Sequence, residues 1–452
     1  MRRKIEEKLL RWKNDEEGRM PLLLYGARQV GKTFILLDFG EKNYENVVYI
    51  NLETNRSVAS VFENDIAPGR IITLLEAIVG EEIHPGRTLL FLDEIQSCER
   101  ALTSLKYFCE QAPEYHIASA GSLLGVAVNR QQYSFPVGKV KSLSLYPLDF
   151  EEFLWAVGEE TLAGEIRACC EAHRPMIEAL HQKALELYHY YLIVGGMPAV
   201  VNEYVSRGKL VLVPNMQHEI LGNYVADMAK YASAEEAVKI REAFNSIPAQ
   251  LAKDNRKFQY KVVQRGASSS MFGASIEWLE QSGVVLKCKR ILHGEDPISV
   301  YEDLSSFKLY MGDVGLLVAK SGLSLQTILL GEANTFMGAV TENYLAVQLA
   351  AMGYGIYYWA PENSQAELDF VLQAGGQVTA IESKRGTHNR SRSLGMFIQK
   401  YKPGRAIRFS EENFYDTESV EALPLYAAFC LGTEIVAHRS DALLWGARHR
   451  DA

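Results

Sequence analysis

Apolar runs and helical periodicity alternate over the first third of the chain. Apolar runs typical of strands lie at residues 22–25, 46–53, 89–92, 115–122 and 139–148, with helical patterns between them. Strands that alternate with helices predict a parallel sheet covered by helices on both faces. We therefore expect an α/β fold in the N-terminal part of the chain.

A second pattern begins near residue 150. Residues 150–215 are rich in Glu, Ala and Leu at helical spacing, and GGMPA at 195–199 indicates a turn between helices. Two further amphipathic segments and a helix ending at Gly283 precede the β-rich residues 284–291. Helices followed by a small hairpin are typical of a winged helix.

A third pattern lies in the C-terminal part of the chain. Apolar runs at residues 370–372 and 378–381 predict adjacent strands of a hairpin. Asp369, Glu382 and Lys384 nevertheless lie in or beside these strands. Charged groups in such positions indicate that the strands do more than fill a core.

Length, charge and cysteine spacing narrow the class of protein. At 452 residues we expect about three domains. The formal charge of −9 argues against a protein that coats nucleic acid indiscriminately, so any such contact needs a local basic face. The six cysteines show no metal-ligand spacing, which indicates free thiols in a reducing cytoplasm. No run of about 18 apolar residues occurs, so we expect no membrane span.

A glycine-rich motif follows the first strand. Between a strand and a helix, such a loop points its amides at phosphate oxygens, and the helix adds its positive dipole end. Lys32 is expected to reach the β- and γ-phosphates of ATP, and Thr33 to bind Mg²⁺. The motif, GARQVGKT, consists of Gly26, Ala27, Arg28, Gln29, Val30, Gly31, Lys32 and Thr33.

The third apolar run ends in two adjacent carboxylates. Asp93 is expected to hold Mg²⁺ together with Thr33, and Glu94 to orient or deprotonate the attacking water. Ser119 and Ser122 end the next predicted strand, where a hydroxyl would contact the γ-phosphate. Ser122 is equally well explained as the cap of the following helix. These residues predict an ATP hydrolase.

Six segments together resemble one protein family. GARQVGKT, YINLE, LLFLDEIQ, SAGSLL, YPLDFEEFL and YLIVGGMPAVV occur in this order. From about residue 18 to 430 the chain resembles a family of bacterial and archaeal AAA-type ATPases with a C-terminal domain that is similar to PD-(D/E)XK nucleases. The resemblance implies a P-loop ATPase core, a helical lid, a winged helix and a restriction-endonuclease-like α/β domain.

The resemblance also implies a second metal site. Period-two alternation puts Glu382 and Lys384 on one side of their strand, with Ser383 facing away. Asp369 and Glu382 would share Mg²⁺, and Lys384 would position the attacking water. A third acid, Glu342, lies in an apolar helical stretch, where an unpaired carboxylate would be costly.

Structural alternatives to this metal site stay open. Asp369 and Lys384 are also able to form a cross-strand bridge worth about 0.2–1 kcal/mol, with Glu367 a plain surface residue. Asp313, in the stretch 307–322, is expected to cap a turn rather than to bind metal.

Basic residues gather in two places. The first set mixes with aromatic residues and suits contacts to DNA phosphates, with a solvated or docking face as the alternative. The second, KRGTHNRSRSL at 384–394, suits a phosphate backbone, with a solvated loop as the alternative. The first set comprises Lys253, Arg256, Lys257, Phe258, Tyr260, Lys261, Arg265, Lys287, Lys289 and Arg290.

These observations predict a cytoplasmic ATPase coupled to a DNA-binding, DNA-cleaving nuclease-like domain. The alternative is a nucleotide-dependent switch or protein-remodelling module whose winged helix and nuclease-like domain bind without cleaving. DNA and a homo-oligomer are the expected partners, and no arginine finger is assigned, because a neighbouring subunit is able to supply one. The expected domains are the ATPase core at 1–149, the lid at 150–232, the winged helix at 233–305 and the nuclease-like domain at 306–452.

Overall fold

A computed structural model describes residues 1–122, 135–362, 365–384 and 392–432 of the protein. The chain divides into two compact units. The first comprises Met1–Tyr146 and Glu277–Val284, and the second comprises Pro147–Ile276 and Val285–Ala452.

The first unit contains a sheet of five parallel strands. The strands are β1 (Leu22–Tyr25), β2 (Asn46–Asn51), β3 (Thr88–Asp93), β4 (His116–Ala120) and β5 (Lys141–Ser144). They are arranged in the order β2-β3-β4-β1-β5. The helices are α1 (Ile5–Lys13), α2 (Lys32–Asn43), α3 (Arg56–Ala59), α4 (Val61–Asn64), α5 (Pro68–Val79) and α6 (Glu99–Gln111), with a 3-10 turn at Ile95–Ser97. The predicted parallel α/β sheet is confirmed.

The most apolar of the predicted strands, β3, lies inside the sheet and not at its edge. All six residues of β3 are buried, because β2 and β4 flank it on both sides. The carboxyl ends of parallel strands meet at one edge of the sheet, which is where ligands bind in open α/β folds. The glycine-rich loop after β1 and Asp93 at the end of β3 therefore lie at the same edge.

The second unit begins with helices. The predicted helical pattern between residues 150 and 215 is observed, and GGMPA forms the predicted turn between the helices Glu178–Val194 and Pro198–Arg207. The helices are α7 (Phe150–Ala156), α8 (Glu160–Glu171), α9 (Glu178–Val194), α10 (Pro198–Arg207), α11 (Val213–Tyr231), α12 (Ala234–Leu251), α13 (Tyr260–Val263), α14 (Ser269–Gln281), α15 (Val314–Ser321), α16 (Leu325–Leu329), α17 (Met337–Ala351) and α18 (Arg392–Tyr401). Residues 277–281 of α14 belong to the first unit. Short 3-10 segments lie at Leu210–Leu212, Ile298–Tyr301 and Leu425–Leu431.

The second unit also contains a mixed sheet of eight strands. Its strands are β6 (Val285–Ile291), β7 (Glu302–Met311), β8 (Tyr357–Trp359), β9 (Leu368–Ala374), β10 (Gln377–Ser383), β11 (Arg405–Ser410), β12 (Tyr415–Asp416) and β13 (Glu421–Pro424). The order is β12-β13-β11-β10-β9-β8-β6-β7. β9 and β10 form the predicted antiparallel hairpin, while β11 runs parallel to β10.

The hairpin assigned to a winged helix is part of this sheet. β6 pairs with β7 on one side and runs parallel to β8 on the other. The domain boundary expected between residues 305 and 306 falls inside β7. An isolated wing and a sheet-edge hairpin share the same local apolar pattern, so only the pairing with β8 distinguishes them. The division into four domains stays a prediction.

The Gly-Gly turn is held by a buried aspartate. Asp313 Oδ2 accepts a hydrogen bond from Gly196 N at 2.6 Å, and its Oδ1 accepts one from Leu316 N at 2.8 Å, which caps α15. A Cβ on Gly195 would lie 2.3 Å from Asp313 Oδ1, so glycine is required there. Burial raises the pKa of Asp313 to about 6, although the backbone donors oppose the shift. The predicted capping role of Asp313 is confirmed.

No helix within the described ranges is both long enough and apolar enough to cross a membrane.

Candidate functional site

The glycine-rich loop connects β1 to α2 through unusual backbone angles. Gly26 has φ 150° and Gly31 has φ 93°, values that favour glycine, and Gln29 adopts φ 68° between them. A Cβ on Gly26 would lie 2.2 Å from the carbonyl oxygen of Leu145, so no other residue fits there. The loop conformation therefore depends on the glycines that the motif contains.

Lys32 is the first residue of α2, and its side chain is buried. Its Nζ donates hydrogen bonds to the carbonyl oxygens of Gly26 and Ala27, both at 2.8 Å. Burial lowers the pKa of Lys32 to about 8, while the nearby Glu94 and Asp93 carboxylates oppose that shift. Two neutral carbonyls compensate a buried ammonium poorly, so an anionic phosphate would be a stronger partner.

Thr33 and Asp93 meet although 60 positions separate them. Thr33 Oγ1 donates to Asp93 Oδ2 at 2.9 Å, and the Asp93 side chain is buried. The hydrogen-bond donors to Asp93 are neutral, namely hydroxyls and the backbone amide of Glu94. A buried carboxylate beside a hydroxyl is a donor set that Mg²⁺ accepts, so these residues fit the ion.

Glu94 departs from the direction of β3. It adopts a left-handed conformation, φ 50° and ψ 44°, before the short 3-10 turn. Its carboxylate accepts a hydrogen bond from Gln96 Nε2 and lies near enough to Lys32 to raise the pKa of that lysine. Left-handed non-glycine residues are uncommon and concentrate at functional sites. The Glu94 carboxylate therefore follows directly after β3 and lies, like Asp93, within electrostatic reach of Lys32.

The two serines predicted near the γ-phosphate differ in setting. The Ser119 hydroxyl, on β4, is buried and has no hydrogen-bond partner among the described residues. Ser122 lies two residues beyond β4 and is also buried. Residues 123–134, which follow Ser122, lie outside the described residues, so the alternative cap at Ser122 is not observable. Its role stays a prediction.

The second unit brings the other predicted residues to one cavity. Glu342, Asp369, Glu382 and Lys384 all line a cavity of about 260 Å³. Helix α17 supplies Glu342, β9 supplies Asp369 and the end of β10 supplies the other two. Residues that are distant in sequence therefore share the cavity wall that the resemblance implies.

Asp369 and Lys384 do not form the alternative cross-strand bridge. Asp369 Oδ2 accepts hydrogen bonds from Ser383 N at 2.7 Å and Ser383 Oγ at 2.8 Å. Lys384 Nζ instead lies 3.3 Å from Glu382 Oε1. Alternation predicts that Ser383 faces away from Glu382 and Lys384, but Ser383 lines the same cavity and its hydroxyl donates to Asp369.

Glu342 is held by cations that sequence reasoning did not assign to the site. Lys308 Nζ, fully buried on β7, lies 3.5 Å from Glu342 Oε2 and 2.6 Å from Glu367 Oε1. Arg256 forms an ion pair with Glu342, and Tyr310 OH donates to Glu342 Oε2 at 3.0 Å. The surface alternative for Glu367 is therefore wrong. Lys308 stands in the apolar stretch FKLY at 307–310, and a lysine in such a stretch is the sequence feature that indicates a buried ion pair.

Arg256 also departs from the predicted DNA-contact face. Its guanidinium points at Glu342, and a Cβ on Gly338 would lie 2.6 Å from its Nη2. Gly338 and Glu342 are one helical turn apart on α17, so the glycine leaves room for the arginine to reach the acid. Arg256 therefore lines the cavity and forms an ion pair there.

The magnesium assignment for this cavity stays a prediction. Within residues 1–122, 135–362, 365–384 and 392–432, no three His, Cys, Asp or Glu side chains are grouped to hold a metal ion. Arg256 and Lys308 form ion pairs with Glu342, so this carboxylate already has two cationic partners. Most of the basic run at 384–394 lies outside the described residues.

Three family models match separate parts of the chain. Residues 18–154 match an AAA domain. Residues 185–327 match a domain of unknown function, DUF8612, and residues 337–428 match another, DUF4143. The predicted nuclease-like region thus has a family match that carries no function. No curated protein matches the chain.

Solved structures resemble the chain only loosely. The Walker-type ATPase PABY2304 of Pyrococcus abyssi is 15% identical over 71% of this chain and 95% of its own, with a TM-score of 0.43. The Aeropyrum pernix ORC1 protein in complex with DNA is 13% identical over 72% and 93%, with a TM-score of 0.29. DnaA from Aquifex aeolicus, bound to AMPPCP, is 14% identical over 61% and 86%, with a TM-score of 0.28. Likeness at these scores adds no argument. The family match covers the part of the chain that holds GARQVGKT and Asp93, and this part has the parallel α/β fold of a P-loop domain of the AAA type.

Proposed function

We propose that the AAA domain binds ATP with Mg²⁺ and hydrolyses it. The observation that carries this proposal is the meeting of Thr33 and Asp93 beside Lys32, at the edge of the sheet where the glycine-rich loop begins. A hydroxyl, a buried carboxylate and a buried ammonium at one strand edge are the groups that a magnesium–triphosphate complex needs. Mg²⁺, when bound, neutralises phosphate charge.

Each residue has a distinct task in this proposal. The loop amides and Lys32 bind the β- and γ-phosphates, and Thr33 and Asp93 hold the metal ion. Glu94 accepts the proton of the attacking water on its side-chain carboxylate. The hydroxyl of Ser122 contacts the γ-phosphate.

Glu94→Gln tests this assignment. Glutamine keeps the size of the side chain but removes the base, so we expect kcat for ATP hydrolysis to fall about 100-fold or more. The Kd for ATP should stay within about threefold, because Glu94 is not assigned to the phosphates. Phosphate release and calorimetry measure the two quantities.

Glu99→Gln is the matched control, since it makes the same change in the first turn of the next helix. It should leave both quantities unchanged. Full hydrolysis by Glu94→Gln would contradict the role of Glu94, and wild-type protein that neither binds nor hydrolyses ATP would contradict the proposed function itself.

A second candidate function is metal-dependent cleavage of DNA at the cavity of the second unit. The observation in its favour is that Glu342, Asp369, Glu382 and Lys384 line the same cavity. Asp369 and Glu382 would share Mg²⁺ with Glu342, and Lys384 would position the attacking water. For Glu342 to bind the metal ion, its ion pairs with Arg256 and Lys308 would have to break in part. If they do not, the cavity binds nucleic acid without cutting it.

Lys384→Ala separates these outcomes. Removing the ammonium should lower plasmid nicking in Mg²⁺ or Mn²⁺ by about 100-fold, since the group would act on the attacking water. Lys400→Ala, an exposed lysine on α18, is the control and should cut like the wild type. Equal nicking by both variants would remove the cleavage assignment.

A further inference from the structure

The Asp93 carboxylate accepts a hydrogen bond from a second hydroxyl, which belongs to neither motif. Tyr49 OH donates a hydrogen bond to Asp93 Oδ2 at 3.0 Å, the same oxygen that accepts from Thr33 Oγ1 at 2.9 Å. The other oxygen, Oδ1, accepts from the amide of Glu94 at 3.0 Å. Both oxygens of the Asp93 carboxylate, the proposed metal ligand, are therefore oriented by hydrogen bonds.

Strand register explains how Tyr49 reaches this carboxylate. In the parallel pair of β2 and β3, Tyr49 lies opposite Phe91 and Asn51 lies opposite Asp93. The Tyr49 and Phe91 ring centroids are 5.3 Å apart, so the ring packs along β3 and its hydroxyl extends toward the strand end. Tyr49 is 40% exposed, so its ring lies at the boundary of the core.

Asn51 sets the direction of this hydrogen bond. Its Oδ1 accepts from the amides of Glu53 and Thr54, both at 3.0 Å. The opposite end of the same amide, Nδ2, therefore faces Tyr49 OH as a donor, at 3.5 Å. Because the phenol oxygen accepts from Asn51, its own hydrogen is directed to Asp93.

The two hydroxyls on Asp93 differ in what they are able to do. Thr33 Oγ1 belongs to the glycine-rich motif and is the hydroxyl that would turn its lone pair to a metal ion. The phenol of Tyr49 comes from a separate strand and is anchored by ring packing and by Asn51. It therefore keeps the Asp93 carboxylate in one orientation whether or not Thr33 binds metal.

We propose that Tyr49 is a positioning residue for the magnesium site, acting through its hydrogen bond to Asp93 Oδ2. The proposal rests on the proposed function, because it assigns Tyr49 to the same nucleotide site. Groups that orient a metal ligand tune metal affinity, and their loss costs roughly 10- to 100-fold. Tyr49 therefore governs the metal-dependent part of nucleotide binding and not the part contributed by the loop.

Tyr49→Phe removes only the hydroxyl and keeps the ring that packs on Phe91. The experiment measures the Kd of the non-hydrolysable analogue AMPPNP by calorimetry, once in Mg²⁺ and once in EDTA. For Tyr49→Phe we expect the gain in affinity that Mg²⁺ provides to shrink roughly tenfold. The Kd in EDTA should match the wild type, because Lys32 and the loop amides are unchanged.

Tyr44→Phe is the matched control. It removes another hydrogen-bonded hydroxyl of the same unit, whose oxygen lies 2.8 Å from His116 Nδ1 rather than near Asp93. It should leave the magnesium-dependent gain intact. An unchanged gain in Tyr49→Phe would overturn the proposal, and so would an equal loss in Mg²⁺ and EDTA, which would indicate a general effect on β2. Wild-type protein that binds no AMPPNP in either buffer would instead refute the proposed function.

Discussion

Lys32→Ala should abolish the rise in melting temperature that saturating ATP and Mg²⁺ produce in the wild type. A ligand at 100 times its Kd stabilises a protein by about 2.7 kcal/mol. Removing a buried ammonium from a phosphate site costs on the order of 100-fold in affinity, which leaves about 0.4 kcal/mol at the same ATP concentration. Differential scanning fluorimetry should therefore record a shift for the wild type and almost none for the variant.

The physical basis is the burial of the ammonium. Lys32 Nζ is held by two loop carbonyls, and burial already lowers its pKa to about 8. A buried cation with neutral partners has much to gain from a triphosphate, so its truncation removes a large share of the binding energy. The unliganded variant itself should melt near the wild-type temperature, since the Lys32 side chain forms no ion pair with any residue that the structure describes.

Lys42→Ala is the control for this experiment. Lys42 lies on the same helix, has a 58% exposed side chain and pairs with Asp38 one turn away. Exposed pairs of this kind contribute little, and the variant should keep the full ATP-dependent shift. A full shift retained by Lys32→Ala would mean that nucleotide binds elsewhere and would contradict the site.

Lys308→Met should destabilise the second unit by about 3–5 kcal/mol. Lys308 is fully buried and lies between the Glu342 and Glu367 carboxylates, with its Nζ also 4.9 Å from the centre of the Tyr358 ring. Methionine replaces most of the side-chain volume, so the cost arises from the Glu342 and Glu367 carboxylates, which lose a cationic partner. Denaturant unfolding followed by circular dichroism measures the change.

Lys289→Met provides a matched comparison on the neighbouring strand. Lys289 on β6 pairs with Glu302 at 3.1 Å but is 42% exposed, so the same substitution should cost less than about 1 kcal/mol. Lys308→Met combined with Glu342→Gln should cost less than the sum of the single changes, because the double variant leaves less buried charge uncompensated. Equal, small losses for Lys308→Met and Lys289→Met would contradict a buried charge network.

The two sites differ in how much of each was predictable from sequence. The nucleotide loop is contiguous, so eight neighbouring residues and the strand before them were sufficient to predict its position and the role of Lys32. Asp93 followed from its place after a buried strand. Tyr49 did not, because a tyrosine in an ordinary strand carries no local sign that its hydroxyl reaches a carboxylate on the next strand.

The cavity of the second unit was predictable only in part. Asp369, Glu382 and Lys384 stand on adjacent strands, and alternation was enough to suggest that they share one side. Arg256 and Lys308 approach Glu342 from other segments, and they change that acid from a free metal ligand into a member of an ion-pair network. Sequence separation conceals such partners.

The sequence by itself determined what is local in this protein. The positions of strands and helices, the positive φ angles of Gly26 and Gly31 and the cap that Asp313 forms on the amide of Leu316 depend on neighbours within a few residues. The tertiary structure alone decided that β6 and β7 join the larger sheet, that Tyr49 meets Asp93 and that Arg256 meets Glu342. The reason is that charge pairing and sheet pairing are set by proximity in space, and chain folding brings together residues that no short window of sequence connects.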